Sequence, residues 1–102
     1  MRAGNVFKVS DDGTERLRID SSGNVGIGTA TVNRPLVVYG NSFSAISINT
    51  SSSGTADGDG VQLQLSGSNG YLWNYENGGM LFGTNGTEAM RIKSTGHVNI
   101  GT

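Results

Sequence analysis

Two stretches decide the fold of this chain: GTERLRIDSSGNVGIGT at residues 13–29 and GTEAMRIKSTGHVNIGT at residues 86–102. They lie 73 positions apart, and 11 of their 17 aligned residues are identical. An internal match of this length indicates a repeat architecture. We therefore interpret residues 30–102 as one complete repeat, preceded at residues 1–29 by the C-terminal part of another. The pattern is typical of a fragment of a longer repetitive chain.

Each copy carries the alternation of a β-strand followed by a glycine turn. Leu17 and Ile19 alternate with polar residues, which places them on one face of a strand. After the turn at Gly23, Val25 and Ile27 alternate with small residues in the same way. The second copy repeats the pattern, so we predict eight packing positions: Leu17, Ile19, Val25, Ile27, Met90, Ile92, Val98 and Ile100.

A further strand and a tight turn precede each copy. Residues 6–10 lead into Asp12-Gly13, and residues 80–83 lead into Asn85-Gly86. Asp-Gly and Asn-Gly pairs between alternating segments are strong signals for a hairpin. Each copy is therefore predicted to be a three-stranded meander.

The segment between the copies also has the pattern of strands. Alternating or β-branched runs occur at residues 36–39, Phe43–Ile48, 61–65 and 71–75, with a Ser/Gly/Asp loop at 50–60. An apolar period of 3.6 residues is missing throughout, so the sequence does not predict helices. We predict an all-β fold of short antiparallel strands.

The composition argues that the chain associates with copies of itself. Only 34% of the 102 residues are apolar, and 17 are glycine, which buries no side chain and loses much backbone freedom on folding. A lone domain of this size needs a dense core. The net charge of -1 and the regular apolar alternation argue against disorder. Gly26 and Gly28, out of phase with Val25 and Ile27, are expected to let neighbouring backbones approach closely.

Charge, cysteine content and hydropathy exclude several classes of protein. The signs of charge are mixed along the chain, so we expect no nucleic-acid partner. Without cysteine, neither a disulfide nor a thiolate metal site can form. There is no apolar run long enough to insert into a membrane, and the N-terminal sequence lacks the apolar stretch of a signal peptide. We expect no cofactor.

The string RIDSSGNVGIGT at residues 18–29, followed by a proline-containing link and Leu36-Val37-Val38-Tyr39-Gly40, resembles the recurring module of phage tail fibres and related bacterial surface proteins. The link at residues 30–35 departs from the usual small Thr-Ser-Pro link. The resemblance implies an intertwined homotrimeric β-prism or β-sandwich fibre. Its implied partners are copies of itself and neighbouring fibre or tail proteins, and its implied location is the virion, outside the cell. It implies a shaft that projects a host-recognition tip.

Tyr71, Trp73 and Tyr75 form an aromatic strand with two interpretations. Their spacing places them on one face, where they can pack as the interior of the module. Aromatic rings also stack on sugars, so the same face can belong to a carbohydrate-binding module that contacts host surface glycans. Both interpretations stay open at this point.

The carboxylates do not predict an enzyme. Outside the repeated stretches only Asp57, Asp59 and Glu76 remain, and a glycan-cleaving depolymerase needs two carboxylates held firmly across a groove. Asp57 and Asp59 lie in a glycine-rich loop, which is a poor support for such geometry. We predict no catalytic residues.

Metal binding has weak candidates only. Asp57-Gly58-Asp59 is similar to part of a calcium loop, but the third ligand and the bidentate glutamate are missing. His97 replaces Asn24 of the first copy and would need three partners from neighbouring chains to bind zinc. We predict no metal site.

One charged pair recurs in both repeats. Glu15 and Arg18 of the first copy correspond to Glu88 and Arg91 of the second. We expect these residues to form ion pairs between chains, since a ligand site explains the recurrence less well.

Overall fold

A computed structural model describes residues 6–101 of the chain and shows an all-β fold. The first five residues of the predicted 1–29 unit and Thr102 of the second repeat lie outside the described residues. The described part contains ten strands and no helix, and hence no helix that could cross a lipid bilayer. The strands are β1 Phe7–Asp11, β2 Thr14–Ile19, β3 Val25–Ile27, β4 Leu36–Val38, β5 Phe43–Ile48, β6 Val61–Ser66, β7 Asn69–Asn74, β8 Met80–Thr84, β9 Thr87–Ile92 and β10 Val98–Ile100.

The ten strands form three sheets. The first has the order β1-β2-β3-β4, the second β5-β6-β7 and the third β8-β9-β10. The two predicted meanders are confirmed, since β1-β2-β3 and β8-β9-β10 each consist of three consecutive antiparallel strands. The chain divides into two compact units: one comprises the chain up to Ile46 with Gln64–Gly70, and the other comprises Ser47–Leu63 with the chain from Tyr71 onward. The second sheet contributes residues to both.

The hairpin turns use the residues predicted for them. Asp11 pairs with Thr14, so Asp12 and Gly13 alone form the loop, with φ of 51° and 78°. Asn85-Gly86 repeats this geometry with φ of 51° and 73°. Two central residues with positive φ define a type I′ turn, whose twist matches that of the flanking strands. The Asp-Gly and Asn-Gly pairs therefore set the hairpin registers.

The first hairpin contains a β-bulge that the sequence does not predict. Val9 pairs with Leu17 but Ser10 pairs with Glu15, so Arg16 is an extra residue in β2. An inserted residue shifts the alternation of side chains by one. Glu15 therefore lies on the face opposite Leu17, although the two residues are two positions apart.

The second hairpin has the same bulge at the equivalent position. Phe82 pairs with Met90 and Gly83 with Glu88, which leaves Ala89 as the extra residue. In each repeat the carbonyl of the bulged residue accepts a hydrogen bond from a later glycine. The N–H of Gly28 donates to Arg16 at 3.0 Å, and that of Gly101 donates to Ala89 at 2.9 Å. The bulge therefore also positions the chain after the third strand.

One side of the first sheet is entirely apolar. The registers place two rows of four residues across the four strands, because directly paired residues share a face. None of these side chains is buried. We call this surface the first apolar face; its rows are Phe7, Ile19, Val25 and Leu36, then Val9, Leu17, Ile27 and Val38.

The third sheet has an equivalent side, which we call the second apolar face. It consists of two rows of three: Met80, Ile92 and Val98, then Phe82, Met90 and Ile100. These side chains are also half-buried or exposed, and Ile100 has 82% of its surface exposed. The eight predicted packing positions all lie on the two apolar faces.

The pairing of β3 with β4 corrects the prediction of antiparallel strands. The two strands are parallel, with Val25, Gly26 and Ile27 opposite Leu36, Val37 and Val38. The N–H of Val25 donates to Pro35 at 2.8 Å, and that of Tyr39 donates to Ile27 at 2.8 Å. The reason is the short link before β4, which folds back so that the next strand runs in the same direction. The β3–β4 ladder pairs residues on both sides of the boundary predicted between residues 29 and 30. That boundary rests on the sequence repeat alone and stays a prediction.

Gly26 and Gly28 leave room for the link at residues 30–35 to fold back against β3. A Cβ on Gly26 would lie 2.6 Å from Val32 Cγ2 and 2.7 Å from the Thr29 carbonyl oxygen. Gly28 has a φ of +83°, and a Cβ there would lie 2.5 Å from the Tyr39 carbonyl oxygen. The close approach expected at these glycines is therefore made by the link and β4 of the same chain.

The described chain buries almost no apolar side chains. Val32, with 9% of its surface exposed, is the single buried hydrophobic residue among residues 6–101. In β6 the polar side chains are buried and the apolar side chains are exposed. Gln62 and Gln64 are buried, whereas Leu63 and Leu65 are exposed. The apolar side chains of β6 are therefore left uncovered in the single chain.

Candidate functional site

The aromatic strand forms a continuous row of rings. Tyr71 and Trp73 lie in β7, and Tyr75 follows its last residue. The rings of Tyr71 and Trp73 stack with centroids 5.4 Å apart and planes inclined by 27°. The ring centroids of Trp73 and Tyr75 are 6.5 Å apart, with planes inclined by 51°. Residues two apart in a strand share a face, so the spacing alone accounts for the row.

The row is not buried in the described chain. Trp73 and Tyr75 are 47% and 45% exposed, and Tyr71 is half-buried. An interior position within the single chain therefore does not describe these rings. Two roles are compatible with their exposure: packing against another chain or stacking on a ligand.

A shallow groove lies beside Trp73 within the second unit. Its volume is about 280 Å³, and it is lined by Trp73 and Met80 together with the polar side chains of Glu76, Lys93 and Ser94. Apolar surface combined with a few convergent polar groups is characteristic of small-molecule sites.

The loop before β6 is fastened to the end of the aromatic strand. The N–H of Gly60 donates to Glu76 Oε2 at 2.8 Å, and the N–H of Tyr75 donates to the Gly60 carbonyl at 2.9 Å. The Asn49 amide donates to the Gly54 carbonyl at 2.8 Å. Gly60 has a φ of +80°, a backbone conformation that strongly favours glycine. These hydrogen bonds hold the loop before β6 against the end of the aromatic strand.

Two of the three candidate carboxylates, those of Asp59 and Glu76, accept hydrogen bonds from the backbone of this loop. Asp59 Oδ2 accepts a hydrogen bond from the N–H of Ala56 at 2.9 Å, and Glu76 binds Gly60 as above. The carbonyl of Asp57 accepts from Gln62 Nε2 at 2.8 Å. Among residues 6–101, no group of three or more His, Cys, Asp or Glu side chains could hold a metal ion. The absence of catalysis and of a metal stays a prediction.

In the single chain the recurring charged residues form ion pairs with each other, and the expectation of pairs between chains stays a prediction. Arg18 binds Glu15 through two hydrogen bonds of 2.8 and 2.9 Å, and Arg91 binds Glu88 through two of 2.6 and 3.1 Å. Residues three apart in a regular strand point to opposite faces. The bulges at Arg16 and Ala89 bring each pair onto one face, so both partners meet.

These pairs predict a shift in acid titration. The hydrogen bond from Arg18 lowers the pKa of the Glu15 carboxyl below its ordinary value of 4.5, and Arg91 does the same for Glu88. A lowered pKa in the folded state stabilises the fold above about pH 4.5, and this contribution is lost as pH falls through the folded-state pKa. We expect Arg18→Gln to return the Glu15 pKa to its ordinary value, measured by NMR titration.

The Glu88 carboxyl supplies the control for this titration. Its partner is Arg91, so Arg18→Gln leaves the Glu88 pKa low, and Arg91→Gln gives the reverse result. Equal titration of both glutamates in the natural chain at the ordinary value would contradict the two ion pairs.

The structure adds residues that the sequence analysis did not select. The first apolar face also includes Phe7, Val9, Leu36 and Val38. Their place on it follows from the registers of the β1–β2 hairpin and of the parallel β3–β4 pair, which the sequence pattern does not contain. The groove residues Lys93 and Ser94 lie about 20 positions from Trp73 in the sequence, and no local pattern marks them. Comparison of the chain with protein-family models, with curated proteins and with solved structures found no match.

Proposed function

We propose that this chain is a structural module of a viral tail fibre, a homotrimeric shaft that projects a host-recognition tip. The observation that carries the proposal is the pair of apolar faces left open in the single chain. The first apolar face presents eight apolar side chains and the second presents six.

The hydrophobic effect supports association at these faces. Soluble monomers rarely expose continuous apolar patches of this kind, which usually mark interfaces. Identical chains associate mainly with closed cyclic symmetry, and three sheets around one axis cover one apolar face each. Because the equivalent face recurs after 73 residues, association at one repeat extends along the axis to the next.

The viral assignment is supported by the likeness of RIDSSGNVGIGT to the recurring phage fibre module. On this proposal the chain lies on the virion, outside the cell, and contacts neighbouring fibre or tail proteins along its axis. Its role is mechanical: it supplies length and stiffness, and it has no catalytic activity.

Sedimentation equilibrium of the isolated chain tests the proposal. A trimer has three times the chain mass of 10.6 kDa. A trimeric mass, with rods in negative-stain electron microscopy, is the expected result. A monomeric mass at micromolar concentrations, with the sheets intact by circular dichroism, would overturn the shaft assignment.

A second candidate function is carbohydrate binding at the aromatic strand. It is favoured by the half-exposed, stacked rings of Tyr71 and Trp73 and by the adjacent groove with Glu76 and Lys93. A shaft that meets a host surface can use such a site as a secondary contact with glycans.

We expect Trp73→Ala to weaken glycan binding about fivefold, the factor that corresponds to ~1 kcal/mol of ring stacking. The measurement is a glycan array followed by calorimetry on the retained glycan. Trp73→Phe keeps a ring and should retain most of the affinity, and Tyr39→Ala removes an exposed ring outside the groove without effect. Failure of the natural chain to retain any glycan would eliminate this candidate and leave the shaft proposal intact.

A further inference from the structure

The chain contains three Asn-Gly pairs, and each lies in a different structural setting. Asn69-Gly70 begins strand β7, Asn77-Gly78 lies between β7 and β8, and Asn85-Gly86 is the loop of the β8–β9 hairpin. Asparagine is among the chemically labile residues. A following glycine leaves the asparagine side chain open to attack by the next backbone nitrogen, because glycine carries no Cβ. The structural setting therefore decides which of the three pairs reacts.

Asn85-Gly86 is the least restrained of the three pairs. Thr84 and Thr87 form the last pair of the ladder, so the N–H of Gly86 takes no part in it. Within residues 6–101, no other hydrogen bond engages this N–H. Both loop residues are exposed, and a Cβ built on Gly86 would meet no atom within 4 Å. The nitrogen of Gly86 is therefore free to approach the side chain of Asn85.

The other two pairs are held by the fold. The N–H of Gly78 donates to the Glu76 carbonyl at 2.9 Å, so its nitrogen is engaged. Asn74 fastens the same turn, since its Nδ2 donates to the Gly79 carbonyl at 2.9 Å and its Oδ1 accepts from the N–H of Glu76 at 2.8 Å. Asn69 is fixed in the backbone of strand β7. At both places the folded structure opposes the rotation that brings side chain and backbone nitrogen together.

The first repeat shows that the turn accepts an aspartate in place of Asn85. Asp12-Gly13 occupies the equivalent position in the β1–β2 hairpin. Asp12 and Asn85 both have a φ of 51°, and the glycines that follow them have φ of 78° and 73°. Asparagine and aspartate are the residues that tolerate positive φ best after glycine. An aspartate at residue 85 therefore fits the turn that the asparagine forms.

We propose that Asn85 is a site of spontaneous deamidation, which converts the turn of the second hairpin into the Asp-Gly turn of the first. The backbone nitrogen of Gly86 attacks Cγ of Asn85 and bonds to it. The side-chain nitrogen takes up the proton that Gly86 loses and leaves as ammonia, so a cyclic succinimide remains. Water then opens the ring without oxidation or reduction. Opening at Cγ gives aspartate, and opening at the main-chain carbonyl gives isoaspartate.

The two products have different effects on the hairpin. Aspartate adds a negative charge to a chain whose net charge is -1, and it keeps the two-residue loop. Isoaspartate inserts a methylene into the backbone, which the type I′ turn does not accommodate. The Asn85→Asp variant represents the first product alone, and we expect its midpoint of urea unfolding to equal that of the natural chain. A lower midpoint would contradict the equivalence of the two turns.

Peptide mapping by mass spectrometry tests the proposal on the full chain, incubated at mildly alkaline pH in water labelled with heavy oxygen. We expect heavy oxygen in the new carboxyl group at residue 85. We expect conversion there to be at least about fivefold faster than at Asn77 and Asn69, the factor that corresponds to one hydrogen bond. In urea the fold is lost, and the three pairs should convert at equal rates.

The Asp12→Asn variant is the matched comparison, because it places an Asn-Gly pair in the same turn of the first hairpin. We expect this pair to convert within about twofold of the rate at Asn85, since the two turns share their geometry. Conversion at Asn85 no faster than at Asn77, or an unchanged ranking of the three natural pairs in urea, would disprove the proposal. These two results need the natural chain only, so they decide even if the variant does not fold. The mass of the chain, measured in the same samples, tests the trimer separately.

Discussion

On the proposed trimeric assembly, a chain carrying Ile19→Asp is expected to sediment as a monomer at concentrations where the natural chain is a trimer. Ile19 lies in a central strand, between Phe7 of β1 and Val25 of β3, in the middle of the first apolar face. In the assembled state the substitution removes apolar burial of about 2–4 kcal/mol per chain and places a carboxylate in an apolar interface. Since every chain carries the change, we expect the association constant to fall by at least about a thousandfold.

The comparison variant is Ser21→Asp, which adds the same charge two residues along the chain. Ser21 is exposed in the turn after β2, away from the apolar face. It should assemble like the natural chain. If Ile19→Asp keeps its assembled mass in sedimentation equilibrium, the first apolar face is not the interface.

The second large effect is expected at Gly26. The substitution Gly26→Asn places a side chain where a Cβ alone would lie 2.6 Å from Val32 Cγ2 and 2.7 Å from the Thr29 oxygen. Overpacking of this kind costs about 1–3 kcal/mol. We expect the free energy of unfolding in urea to fall by about that amount, with the link displaced and β4 released from β3.

Hydrogen exchange locates this effect. The amide of Tyr39, which donates to Ile27 at 2.8 Å, should lose protection, while the hairpin of β1 and β2 keeps it. Gly70→Asn is the matched control, because a Cβ at Gly70 in β7 meets no atom within 4 Å. If Gly26→Asn and Gly70→Asn lower the free energy of unfolding equally, the loss reflects the strand propensity of asparagine and not a clash with the link.

Local sequence patterns predicted the strands and hairpins well, for identifiable reasons. Asp12-Gly13 needs positive φ at two successive residues, and few residue pairs satisfy that. The alternation of Leu17 and Ile19 with polar neighbours is likewise a local property. The strand at Phe43–Ile48 has the predicted bounds, and the others differ by one or two residues.

The bulge and the parallel strand could not be predicted in this way. An uninterrupted alternation places Glu15 on the face of Leu17, and nothing in the residues around Arg16 marks the insertion that reverses it. The pairing of β4 with β3 depends on the close packing of Val32 over Gly26. A periodic sequence pattern contains no information about such a contact. The groove beside Trp73 also depends on contacts distant in sequence, so Lys93 and Ser94 could not be predicted from the residues around Trp73.

The similarity of the two apolar faces has a consequence for how the proposed assembly ends. If two chains met with the first face of one against the second face of the other, unfilled faces would remain at both ends and growth would continue without closing. Aligned chains leave no such ends. The faces differ where Phe7 and Val9 are replaced by Met80 and Phe82, which moves the bulky ring from one row to the next. On the proposed assembly, that exchange disfavours the staggered arrangement by shape, so we expect particles of fixed length and not open polymers.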